Sequence, residues 1–173
     1  MKRNQWLSVH LLVCFFGISG FVYAELNESC LFWTTVFGKS IQKVNLDTME
    51  VSTVLSGLDV TCDIALDPYG EKIYWTERQG EGIFRANSDG THIEHLLGPG
   101  TGTLSSINNI SLDTVNHKLY WTDFNNTQTR VCRSNLDGSS VQVLVSSYTS
   151  LHYRAISVDT IHEKLYWSEN GSQ

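Results

Sequence analysis

The chain has 173 residues, 17% of them charged, and a formal net charge of −6. An acidic surface repels phosphate backbones, which argues against nucleic acid and for a basic protein surface as partner. No CxxC or His-x-x-His spacing is present, so zinc is a poor reading of the cysteines and histidines.

The first residues read as a leader. Lys2 and Arg3 give a basic start, an apolar run follows over residues 11–21, and Val22-Tyr23-Ala24 places small residues at the −3 and −1 positions of a cleavage site. We expect a secretory signal peptide over residues 1–24, removed after Ala24 and not part of the fold. Its loss, with Lys2 and Arg3, takes the net charge from −6 to −8. No later apolar run is long enough to cross a bilayer, so residues 25–173 are expected to be soluble and extracellular, with no membrane span. In that oxidising compartment Cys30, Cys62 and Cys132 remain, an odd number. Cys30 and Cys62 stand at unit boundaries and are the disulfide candidate, whereas Cys132 falls inside an expected strand as a buried thiol.

After a polar lead over 25–30, β-branched and aromatic residues predict strands at about 31–35, 41–46 and 51–55. A second unit predicts strands at 63–67, 72–77, 83–88 and 92–97, with a Pro68-Tyr69-Gly70 turn and an Asp89-Gly90 hairpin. The third repeats this order at 110–113, 118–123, 130–136 and 141–145, and the fourth shows only 155–159 and 164–169. No segment beyond the leader keeps a helical apolar period.

These units share motifs. KIYWTE, KLYWTD and KLYWSE occupy residues 72–77, 118–123 and 164–169, and a degraded LFWTT lies at 31–35. Their tryptophans, Trp33, Trp75, Trp121 and Trp167, are 42 to 46 residues apart, the period of one four-stranded propeller blade. IALDP, ISLDT and ISVDT precede the YWT strands at a fixed interval, and NLD, NSDG and NLDG follow them. Bulky groups on both faces of the YWT strand suit a blade buried between two neighbours. Ala65, Ser111 and Ser157, small at one shared inner-strand position, suit crowding near an axis.

This set of motifs resembles the YWTD, or class B, repeats of the low-density lipoprotein receptor family. The resemblance implies an all-β, partial and open YWTD β-propeller of about three to four antiparallel blades over residues 25–173. Its structural motif falls on Tyr74, Trp75, Thr76 and Glu77, on Tyr120, Trp121, Thr122 and Asp123, and on Tyr166, Trp167, Ser168 and Glu169. The family's aspartate implies a hydrogen bond between blades; only Asp123 matches it strictly. A complete six-bladed ring needs roughly 260 residues, so the chain is either a piece of a longer receptor or a secreted partial propeller.

Chemistry is sparse. The N-x-D-G turns are hairpins rather than calcium loops, because a calcium loop starting at Asn87 would need glycine where His92 stands. Asp67, Asp113 and Asp159 precede turns and are expected to accept backbone N–H bonds. His92, His95, His117, His152 and His162 read as solvated strand and turn residues. No GxSxG, HExxH or phosphate-cradling loop occurs, so neither catalysis nor a cofactor nor a metal is expected. Of four sequons, Asn27 and Asn125 lie in expected loops, Asn109 opens an inner strand, and Asn170 is near the C-terminus.

The functional expectation is an extracellular, non-catalytic protein-binding module of a low-density-lipoprotein-receptor-related protein, Wnt-co-receptor-like or endocytic. The alternative is a secreted, nidogen-like matrix protein. Extracellular proteins are the expected ligands, and the open blade faces favour self-association. Binding is expected on the longer loops between strands two and three and between blades, where Arg78, Glu81, Phe124, Tyr148 and Tyr153 lie.

Overall fold

The structure is a computed structural model and describes residues 18–25, 29–35, 37–77, 82–98, 106–124, 128–148 and 152–170. Among them every regular element is a strand. The first sheet runs β1 (Ile18–Glu25), β2 (Ser29–Thr35), β3 (Ser40–Asn45) and β4 (Val51–Ser56), in that order. The second contains β5 (Thr61–Asp67), β6 (Lys72–Glu77), β7 (Gly82–Asn87) and β8 (Glu94–Leu97). The third contains β9 (Ile107–Asp113), β10 (Lys118–Phe124), β11 (Thr129–Asn135) and β12 (Gln142–Ser147). The last pairs β13 (His152–Asp159) with β14 (Lys164–Asn170). Every pairing is antiparallel. Each sheet is a meander, and the first strands meet in sequence, β1 with β5, β5 with β9 and β9 with β13. The result is an open, propeller-like arc in which no sheet closes on itself, as the repeats predict.

One element departs from expectation. The first blade has four strands rather than three, because Ile18–Glu25 pairs along β2, with Phe21 opposite Trp33 and Ala24 opposite Cys30. The physical reason is the inner edge of β2, whose N–H and C=O groups need partners. Ile18–Glu25 is apolar, rich in β-branched and aromatic residues and free of proline, so it can supply them.

Alternation along the YWT strand builds the core. Trp75 packs towards blade one with Phe32, Ile41, Leu55, Ile64 and Ile73. Its neighbour Tyr74 turns to the other side and joins Ile83, Leu97, Ile110, Leu119 and Trp121 between blades two and three. Trp75 and Trp121 are both 0% exposed. The next interface gathers Val131, Tyr153 and Ile156, with Tyr120 and Leu165 partly buried against them. Burying a large side chain of this kind is worth roughly 1.5–3 kcal/mol, so these sandwiched residues dominate blade adhesion.

Polar ties set the register between blades. Thr76 Oγ1 donates to Asn108 O at 3.3 Å, and Thr122 Oγ1 to Arg154 O at 2.9 Å. Ser111 Oγ accepts Val158 N–H at 3.1 Å, which explains a small hydroxyl on the inner strand. Two turn glycines complete the fit. A Cβ on Gly90 would meet Val54 O of the preceding blade, and one on Gly138 would meet Leu96 O at 2.9 Å. Both also have positive φ, 88° and 81°, so glycine is needed for conformation and for close approach.

Candidate functional site

The motif residues turn out to be structural, and the two full copies solve one problem differently. In blade two Glu77 folds back, and its Oε1 accepts the buried Trp75 Nε1–H at 2.9 Å. In blade three the shorter Asp123 is instead taken by Arg130, its cross-strand partner, in a buried ion pair. Trp121 Nε1 is then buried with no hydrogen-bond partner among the described residues. Position 130 has glycine as its counterpart in blade two, Gly82 opposite Glu77. Trp75 and Arg130, the groups these two carboxylates hold, lie within the same blade as the carboxylate.

A buried carboxylate does bridge blades, at a place the motif does not mark. Asp63 on β5 accepts Ile110 N–H at 3.0 Å and Asn109 Nδ2–H at 3.1 Å from β9 through Oδ2, and Ile64 N–H at 2.9 Å through Oδ1. Burial pushes its pKa up to about 6, and the three hydrogen bonds only partly offset that. A signal existed in the sequence: Asp63 stands where Asn109 and Ala155 stand in the next inner strands, and an aspartate heading an apolar strand demands partners. Cys132, in an apolar site beside Asp123, has its thiol pushed up to about 12, which makes it a packing group rather than a nucleophile.

Of the two disulfide candidates, Cys30 is buried between blades one and two, and Cys62 is half-buried with its thiol 4.0 Å from Val60 O.

The ends of the blades form two faces. The loop face carries the connections between strands two and three and between blades. Arg78 and Glu81, and the sequons Asn27 and Asn125, lie outside the described residues. Phe124 ends β10 half-buried, and Tyr148 is exposed at 78%. Tyr153 does not belong to an open surface. It is 4% exposed, sits in the interface between blades three and four, and lies 6.1 Å from Trp167 in a tilted ring contact. Its place on β13 explains this: it is an inner-strand residue rather than a loop residue. The proposed site residues are therefore not gathered into one cluster by the described residues.

The opposite, turn face is built from the β5–β6, β9–β10 and β13–β14 turns and the hairpins between strands three and four. Its geometry repeats closely. Asp67 Oδ1 accepts the N–H groups of Tyr69 and Gly70, Asp113 Oδ1 those of Val115 and Asn116, and Asp159 Oδ1 those of Ile161 and His162. This is the structural role expected of these aspartates. Glu71, His117 and Glu163 then take left-handed conformations, with φ of 52°, 54° and 54°. In the hairpins Asp89 accepts from Thr91 and Asp137 from Ser139, and these bonds hold both carboxyls below the usual carboxylate range. The histidines are dispersed: His92 and His117 are exposed turn residues, His95 stacks on Phe84 at 4.5 Å, and His162 pairs with Asp159 at 2.8 Å.

No family model matches the sequence. A Pyricularia oryzae protein named low-density lipoprotein receptor-related protein 1 is 28% identical over 89 residues, which cover 46% of this chain and 29% of that protein. Among solved structures, a chain of a nidogen/laminin complex superposes with a TM-score of 0.75 at 28% identity, over 85% of this chain and 56% of that one. A Xanthomonas campestris gluconolactonase superposes with a TM-score of 0.68 at 16% identity, over 96% of this chain and 68% of that one. A catalytically inactive virginiamycin B lyase from Staphylococcus aureus, solved with quinupristin, gives 0.65 at 16%, over 91% and 50%. The two enzymes share the fold alone. The chain spans less than a third of the curated relative and little more than half of the nidogen/laminin chain. Together the first two likenesses support a YWTD-propeller-like fold.

Proposed function

We propose that this chain is an extracellular, non-catalytic protein-binding segment of the matrix type, built on a partial propeller. The observation that carries this reading is the likeness to the nidogen/laminin chain, where 28% identity accompanies a TM-score of 0.75 over 85% of this chain. The duties of the buried acids support it. Asp63 ties two blades, Asp67 and Asp113 cap turns, Glu77 holds an indole and Asp123 holds a guanidinium. Each is committed to the fold, whereas a catalytic acid needs reach to a substrate. The test is surface plasmon resonance of the purified chain over immobilised laminin and other matrix proteins. Saturable binding to one of them is expected. Turnover of a lactone substrate by the purified chain, with no matrix protein bound, would replace this reading with an enzyme.

A second reading is favoured by the Pyricularia relative: a segment of a low-density-lipoprotein-receptor-related receptor, endocytic or Wnt-co-receptor-like. Cell fractionation separates the two. A matrix protein is recovered from the medium and matrix, and a receptor from the membrane fraction.

A further inference from the structure

Three successive blades present an apolar side chain at the same exposed turn position. Tyr69, Val115 and Ile161 each lie two residues beyond a capping aspartate and are 69%, 67% and 85% exposed. The turn needs the aspartate and the left-handed residue, and the positions between are otherwise free to vary: Pro68, Thr114 and Thr160 precede them, and Gly70, Asn116 and His162 follow. Single exposed apolar residues need no explanation, but the same exposed position filled three times by a bulky apolar group does. The capped turns also hold these side chains on rigid backbone, which lowers the entropy lost on binding. A second, outer arc on the same face adds Met49, Val51 and Ile93, all exposed, from the hairpins between strands three and four.

Charge on this face is net negative, with acids outnumbering Lys72, Lys118 and the exposed Lys164. Asp47, Asp89, Asp137, Glu71 and Glu163 surround the apolar arcs. The neighbouring lysines Lys72 and Lys118 are turned onto Asn87 and Asn135. The sequons at Asn125 and Asn170 fall beyond the other end of β10 and at the other end of β14, so glycans there would stand away from the turn face.

We propose that the turn face is a protein-docking surface for an extended basic segment with an apolar side chain at every third position. Sheets packed face to face lie about 10 Å apart, which is the order of step expected between equivalent turns of adjacent blades. A polyproline-type strand returns the same face every third residue, about 9 Å along, and so matches that step. Arginines between the apolar positions meet the acidic rim. The proposal rests on the protein-binding reading above and names its surface and partner chemistry.

The test uses fluorescence anisotropy of labelled peptides with repeating Leu-Pro-Arg, Leu-Pro-Glu or Ser-Pro-Arg triplets, titrated with the full chain. Only the Leu-Pro-Arg peptide should bind, and binding should weaken with added salt. The combined variant Tyr69→Ser, Val115→Ser and Ile161→Ser, all exposed, should weaken it by about tenfold or more, whereas Tyr148→Ser on the loop face should change it by less than about twofold. Thermal unfolding of both variants checks that the fold is intact. Equal binding of the Leu-Pro-Glu peptide, no binding of any peptide, or indifference to the triple variant overturns the proposal. Loss on Tyr148→Ser instead moves the contact to the loop face; it overturns the proposal and leaves the protein-binding reading standing. Sedimentation that slows on the triple variant without peptide makes a second copy the occupant and also overturns it.

Discussion

Asp63 accepts two hydrogen bonds across the blade two to blade three junction, and its titration gives that junction a pH dependence. Its folded pKa, about 6, lies above the ordinary 3.8. The folded state therefore holds the proton more tightly, and the stabilisation this brings is complete below about 3.8 and is lost as pH rises through about 6. Against Asp63→Asn, which cannot ionise, the wild type should lose on the order of 2–3 kcal/mol between pH 4 and pH 7. Denaturant melts of both proteins across that range measure it; a pH-independent difference would remove the titration from Asp63. Asn109 has a linked consequence. Its amide donates to the Asp63 carboxylate between two inner strands, so a glycan on that nitrogen is incompatible with the junction. Mass spectrometry of the chain expressed through a glycosylating secretory host should find Asn109 bare. The indoles give a third expectation: Glu77→Ala orphans the Trp75 Nε1–H at a buried site and should cost about 1–3 kcal/mol.

Among the elements, β1 has the largest consequence. If the leader is cleaved after Ala24, as its sequence predicts, the mature chain keeps only Glu25 of this strand. The inner edge of β2 then faces solvent, and β5 loses the neighbour it packs beside. Hydrogen exchange of residues 29–35 should be slow in the full chain and fast in a chain beginning at Glu25, with blades two and three unchanged. Equal protection in both would show that β1 adds nothing. The same strand marks where reading the sequence stopped. Period, motif order and turn chemistry were enough to place the other strands within a few residues, because each is a repeat of its neighbours. The sequence of β1 answers two descriptions, an apolar leader and a β-strand, and its pairing along β2 shows only in the structure. Similarly, Tyr153 was misread as a loop residue because β13 begins three residues earlier than the period suggested. Asp63 escaped notice because its partners lie 46 and 47 residues away in sequence. The faces, by contrast, follow from connectivity, whereas the exposure of Tyr69, Val115 and Ile161 is a property of the folded turns.

At the scale of the whole molecule, an arc leaves interfaces that the repeats make elsewhere. Trp75 and Trp121 are fully buried, but Trp167 is 36% exposed, in a blade of two strands among the described residues. Tyr166 shows the same change: its counterpart Tyr74 is buried against blade three, and Tyr166 is exposed. On the outer strand of blade three, Val143 and Leu144 are exposed as well. Leu144 corresponds to Leu96, which is covered by the Gly138 turn of the next blade. Ser168 matches Thr76 and Thr122, whose hydroxyls donate to the following inner strand. The uncovered surface is therefore shaped for another blade of the same kind, apolar at Tyr166 and Leu144 and polar at Ser168. Contiguous exposed apolar surface of this type drives association, and β14 adds an edge strand that can extend a sheet. The purified chain should self-associate in sedimentation velocity at micromolar concentration. Tyr166→Ser with Leu144→Ser should shift it towards monomer, while the turn-face variant leaves it unchanged. Because the two sites are exposed, the double variant should alter the unfolding free energy by less than about 0.5 kcal/mol per site, which separates lost association from lost folding. A wild-type chain that stays monomeric at these concentrations would show that the exposed face is tolerated in water as it stands.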